Sequence, residues 1–171
     1  MIHVSSLNVL NSVTARLQNY DLLTLLSPGH PETDWSAFAC TRHVRLAFHD
    51  IIEPMPGLTP PDRDMMQAVL DFGRSHEPSR PLLIHCWAGI SRSSAAAFAI
   101  ACDRNPGFER DIANELRRRA PFVTPNRLMV RLADELLERD GRMIEAVEKI
   151  GRGAEAGEGT PYELPLQWPI G

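Results

Sequence analysis

Residues 85–93 read His85-Cys86-Trp87-Ala88-Gly89-Ile90-Ser91-Arg92-Ser93. A thiol and a guanidinium stand at the two ends of a short run of small or loop-forming residues. The apolar run Pro81-Leu82-Leu83-Ile84 precedes them and reads as a strand. Ser94 to Cys102, mostly alanine, follows and reads as a helix. A strand, a tight loop and a helix N-terminus aim successive backbone N–H groups at one point, which the positive end of the helix dipole also faces. An anion belongs there, with a sulfur beneath it. A thiol beside a helix N-terminus and a cation is favoured as thiolate, which is the nucleophilic form. The planar fork of Arg92 fits two phosphate oxygens. Gly89 can adopt backbone angles closed to other residues and keeps the loop floor open. Ser93 carries a hydroxyl within reach of the sulfur, where it would ease the departure of a thiolate. His85 could hydrogen-bond the loop backbone or the surroundings of the sulfur.

This run resembles the cysteine-dependent protein phosphatases, whose signature is His-Cys-x5-Arg-Ser/Thr. The form Cys-x-Ala-Gly-x-Ser-Arg-Ser is most similar to the dual-specificity branch and its small bacterial relatives. The resemblance spans about residues 40–138 and is specific in the loop. It implies phosphomonoester hydrolysis through a cysteinyl-phosphate, with catalytic Cys86, Arg92 and Ser93. Trp87, Ala88, Gly89, Ile90, Ser91 and Arg92 would bind phosphate, with His85 in support. It also implies a general acid on an upstream loop. Asp50 ends the strand-like run Val44 to Phe48 and opens the Pro/Gly-rich segment Glu53 to Pro61, so it is the choice. Asp62 and Asp64 compete, but both lie in a first helical turn, where the dipole alone explains a carboxylate. His49 and Glu53 are more distant options. In the family a helix entered through a Pro-Asn pair packs behind the loop. Asn126 could hold the loop there, although capping that helix is the simpler role.

The remaining elements must build an α/β frame around this loop. Ile2 to Val4 reads as an edge strand, Ser5 to Leu17 as a helix and Leu22 to Leu26 as a buried strand. Gly29 to Trp35 is loop, and Arg42 to Phe48 alternates as a strand does. Thr59-Pro60-Pro61-Asp62 predicts a helix start with a hydroxyl cap, followed by a face of Met66, Val69, Leu70 and Gly73. Helices are expected over Phe108 to Arg119, Arg127 to about Arg139, and Arg142 to Ile150. The expected fold is one α/β domain over residues 1–150. Its central, mostly parallel sheet is flanked by helices, with the phosphate-binding loop between a strand and a helix. Residues 151–171 are rich in Gly and Pro and read as a C-terminal tail. It would be ordered only if Tyr162, Leu164, Leu166 and Trp168 find a surface.

Composition narrows the partners. The 171 residues carry a net charge of −4, which speaks against a general nucleic-acid binder. No apolar run reaches membrane-span length, and the first residues lack a secretory pattern. Three cysteines cannot build a full disulfide framework, and a catalytic thiol needs a reducing compartment, so a cytoplasmic location is expected. Cys40 and Cys102 read as buried hydrophobes. Arg117-Arg118-Arg119 reads as a solvated helix end. His3, His30, His43 and His76 show no metal-ligand spacing, and the chemistry requires neither metal nor cofactor. The uncharged Trp87, Ala88, Ile90 and Ser91 favour a phosphotyrosine protein over a phosphoinositide or nucleotide. Two alternatives remain open: a phosphate-binding pseudoenzyme or interaction module, and a sulfurtransferase or arsenate reductase-like enzyme.

Overall fold

The computed structural model describes residues 1–31 and 33–169. Five strands form one sheet: β1 (Ile2–Ser6), β2 (Asp21–Leu26), β3 (Arg42–Ala47), β4 (Leu82–Cys86) and β5 (Tyr162–Leu164). Their order is β3-β2-β4-β1-β5, parallel except for β5, which runs antiparallel to β1. The expected α/β architecture is therefore observed, with one change at the edge. Ile2 to Val4 does not lie at the sheet margin, because β5 pairs on its outer side.

Strand alternation divides the core in two. Leu23, Leu25, Leu82, Ile84 and Cys86 point to one face, against α2 (Arg63–Arg74), α3 (Arg92–Arg104), α4 (Glu109–Arg119), α5 (Arg127–Leu136) and α6 (Arg142–Ile150). Leu22 and Leu83 point to the other, against Leu10 of α1 (Leu10–Thr14), Tyr20 and the half-buried Trp35 and Phe38. Helix α3 is buried all round because it lies between the sheet and the outer helices, and its alanines let both sides approach. At its crossing with α2, a Cβ on Gly73 would come within 2.7 Å of the Ile100 side chain.

Several local expectations change. The helix expected over Ser5 to Leu17 contracts to α1, since Ser5 and Ser6 extend β1. Val13 of α1 still packs on the minor core, as do Leu7 and Leu17 from the turns on either side. The cap of α2 is Asp62, which accepts from Met65 N–H at 2.8 Å, not the hydroxyl of Thr59. This is the bland role that its first-turn position suggested. The Gly29–Trp35 loop ends in a short 3-10 turn, Trp35–Ala37, and Glu32 within it lies outside the described residues. Arg118 and Arg119 both pair with Glu115, whereas Arg117 bonds the carbonyls of Pro121, Val123 and Gly151. Cys102 is fully buried and Cys40 only partly so; all three cysteines are free.

Beyond Gly151, Tyr162, Leu164 and Leu166 enter the main core and Trp168 packs against it. Ile170 and Gly171 lie outside the described residues. No helix among the described residues is long and apolar enough to cross a membrane.

Candidate active site

The loop leaves β4 at Cys86 and enters α3 at Arg92. Four of its carbonyls are claimed by the surrounding frame. Trp87 C=O accepts from Leu7 N–H at 3.1 Å, and Ala88 C=O from Gly159 N–H at 2.8 Å. Ile90 C=O accepts from Thr124 N–H at 3.2 Å, and Ser91 C=O from Asn126 N–H at 3.3 Å. With these carbonyls turned to the frame, the loop N–H groups are placed to serve an anion. Gly89 N–H donates to Cys86 Sγ at 3.2 Å. Gly89 adopts φ +73°, and a Cβ there would sit 2.8 Å from the backbone nitrogen of Ser6. Glycine is required on both counts.

Ser93 Oγ lies 3.2 Å from Cys86 Sγ, and both residues are buried. The guanidinium of Arg92 is oriented from behind. Its Nη1 donates to Phe48 C=O at 2.7 Å and to Ser27 Oγ at 3.2 Å. Arg92 Nε is buried and, among the described residues, has no acceptor. A buried cationic donor of this kind is well suited to an anion.

Asp50 stands at the end of the loop opposite Trp87. Its Oδ1 accepts from Ser91 Oγ and Asn126 Nδ2, both at 2.8 Å. Among the described residues Oδ2 has no hydrogen-bond partner, so one carboxylate oxygen is fixed and the other remains available. Asn126 meets the loop through its backbone N–H and uses its side chain at two other places. Its Oδ1 caps α5 through Met129 N–H at 3.0 Å, and its Nδ2 holds Asp50. Trp87 is 66% exposed and forms part of the rim.

His85 sits elsewhere. Alternation along β4 turns it to the sheet face opposite the sulfur. There its Nε2 meets Thr24 Oγ1 at 2.8 Å. Burial lowers its pKa to about 3, and the imidazole is neutral. His43 Nε2 reaches the same hydroxyl at 2.9 Å, and burial lowers its pKa to about 4. His85 therefore supports the C-terminal end of β4 from the face opposite the sulfur, beside the backbone of Cys86. His49 has a loop role, with Nδ1 accepting from Thr59 N–H at 2.9 Å.

Three contributors escaped the sequence reading: Ser27, which braces Arg92; Leu7, which bonds the loop; and the segment around Gly159. Ser27 directly follows the buried strand β2 and meets Arg92 only through the fold. Nothing local marks Gly159 as a neighbour of residues so distant in the chain.

No family model and no curated protein matches the chain. Solved structures do match its fold. Tk-PTP in its active form is 20% identical, covering 77% of this chain and 86% of that one with a TM-score of 0.54. PTPMT1 in complex with PI(5)P is 12% identical, covering 85% and 94% with a TM-score of 0.58. The human tyrosine phosphatase-like serine/threonine/tyrosine-interacting protein is 18% identical, covering 80% and 87% with a TM-score of 0.57. With its mostly parallel sheet, its helical layer and a Cys-x5-Arg loop between β4 and α3, the chain has the fold of the cysteine-dependent protein tyrosine phosphatase superfamily.

Proposed function

We propose that this chain is a phosphomonoester hydrolase acting through a cysteinyl-phosphate, with phosphotyrosine in a protein as the favoured substrate. The supporting observation is the sulfur of Cys86 at the floor of an N–H-lined loop, 3.2 Å from both Gly89 N and Ser93 Oγ. In the first step the Cys86 thiolate forms a bond to phosphorus as the bond to the leaving oxygen breaks. Loop amides and Arg92 hold the equatorial oxygens, whose charge needs electrostatic stabilisation. Asp50 gives its proton to the leaving oxygen. In the second step water attacks phosphorus and passes a proton to Asp50. The sulfur–phosphorus bond breaks, and the thiolate departs with Ser93 donating to it. Phosphate is released and the enzyme is restored.

Hydrolysis of p-nitrophenyl phosphate without added metal, wild type beside Cys86→Ser, tests this reading. Turnover confined to the wild type is expected. Equal turnover in the variant removes Cys86 as nucleophile. With a phosphotyrosine peptide, Asp50→Asn is expected to lower kcat by about 10²–10⁴, the usual worth of a general acid. An unchanged rate places the acid elsewhere. A second reading, a phosphate-binding interaction module, draws on one structural neighbour, the tyrosine phosphatase-like interacting protein. The conjunction of Cys86, Arg92 and Ser93 favours turnover over it.

A further inference from the structure

Two grooves open at the two ends of the phosphate-binding loop, and they differ in charge. The first, about 410 Å³, is lined by Leu7, Asn8, Trp87, Ala88, Gly157 and Glu158. It pairs the exposed Trp87 ring with the Glu158 carboxylate, which accepts from Ser6 Oγ and from Asn8 Nδ2. A carboxylate has about four lone-pair positions, so these two donors leave it able to take a cation. An aromatic face beside it adds cation–π attraction.

The second groove, about 760 Å³, runs from Asp50 and Ser91 past Ile52 and Met55 to Arg127 and Arg152. Ile52 and Met55 are half exposed, at 50% and 52%. Arg127 and Arg152 are exposed, and among the described residues neither is paired with a carboxylate. Asp50 and Glu53 are the acidic side chains of this groove, and Asp50 is already held by Ser91 and Asn126. The free cations and the apolar wall suit an acidic side chain next to an apolar one.

We infer that the substrate is a phosphopeptide lying across the loop, with a basic residue in the Trp87–Glu158 groove and an acidic residue in the Arg127–Arg152 groove. The inference rests on the phosphatase reading only for the phosphoryl group at its centre. The opposed charges select the class of occupant. An anionic membrane surface would face Glu53 and Glu158 on a chain of net charge −4, whereas membrane recognition calls for a basic face. A polypeptide can carry both charge signs within a few residues.

Binding to the Cys86→Ser protein tests this without turnover. Three phosphotyrosine peptides of one length are titrated: acidic then basic flanks, the same flanks reversed, and neutral flanks. One charged order is expected to bind about three- to tenfold more tightly than the neutral peptide, the range of two exposed ion pairs. The preference should fade near 1 M salt, where screening acts within about 3 Å. Glu158→Gln, whose amide oxygen can still accept from Ser6, should remove part of the preference. So should Arg127→Gln with Arg152→Gln. Equal affinity for the three peptides overturns the inference, as does a preference indifferent to both charge removals. Tighter binding to phosphoinositide vesicles than to any peptide overturns it in favour of a membrane. Wild-type hydrolysis of p-nitrophenyl phosphate is scored separately. Turnover without a peptide ranking defeats the groove assignment alone. A ranking without turnover upholds it on a phosphopeptide-binding module.

Discussion

Two polar groups meet at the Cys86 sulfur, and they come from different parts of the loop. Gly89 N–H is backbone, held in place by the same φ that excludes other residues. Ser93 Oγ is a side chain on the first turn of α3. Deleting the hydroxyl therefore leaves the loop's shape intact and removes one hydrogen bond to a thiolate leaving group. Hydrogen bonds to charged groups contribute about 1.5–3 kcal/mol. Ser93→Ala is thus expected to slow release of phosphate from sulfur by about ten- to a hundredfold, with little effect on formation of the intermediate. In rapid-quench experiments the variant should show a burst of leaving group followed by a slow steady rate. Loss of the burst in proportion to the steady rate would place the serine in the first step instead. These residues were legible in the sequence because the loop is local. The sulfur, its amide donor, the hydroxyl and the guanidinium all lie within one strand-to-helix turn. The direction of His85 was less legible: period-two alternation puts adjacent strand residues on opposite faces, so its ring lies behind the strand that carries the sulfur.

At the scale of elements, the seam between β2 and β4 is closed by Thr24, whose hydroxyl meets both His43 Nε2 and His85 Nε2. One hydroxyl has one proton, so at least one of the two imidazoles must donate to it. Burial lowers the pKa of His85 to about 3 and that of His43 to about 4. In the folded protein both are neutral near pH 6, while in the unfolded chain each takes up a proton as pH falls through about 6.5. The unfolded state then binds more protons, so stability is full above about pH 6.5 and declines as pH drops towards 4. His85, almost fully enclosed, contributes most, at about 1 kcal/mol per pH unit. The half-exposed His43 contributes less. Denaturant midpoints measured from pH 7.5 to 5 should fall, and His85→Gln should flatten the slope. An equal slope in that variant assigns the pH dependence to other groups. Element types along the chain were largely legible, since each is set by periodicity and caps. Those that failed depended on partners: the Ser5–Leu17 helix yields its first residues to β1 because strand pairing with β4 outweighs local helical spacing.

At the scale of the whole molecule, the C-terminal segment is what the sequence concealed. Glycine and proline usually mark solvated chain, and residues 151–171 are rich in both. Here two of the glycines answer a different demand. A Cβ on Gly153 would meet the backbone of Phe122 at 2.4 Å, and one on Gly159 would meet the Phe122 ring at 2.5 Å and Gly89 C=O at 3.0 Å. The segment is glycine-rich where it passes against the wall of the phosphate loop, and it ends in β5. Three side chains follow into the core: Tyr162, Leu164 and Leu166, all under a tenth exposed. Burying each is worth about 1.5–3 kcal/mol, which together is a large share of the roughly 5–15 kcal/mol that holds a domain folded. A chain ending at residue 150 also loses the Gly159–Ala88 hydrogen bond and leaves β1 unpaired on one side. It is therefore expected to lose cooperative unfolding in urea and to be cleaved rapidly by protease. Leu164→Ala in the full chain should cost about 2–5 kcal/mol while leaving a folded protein. A truncated chain that unfolds cooperatively at the full-length midpoint would show that the first 150 residues carry the fold alone and that the strap only lies upon it.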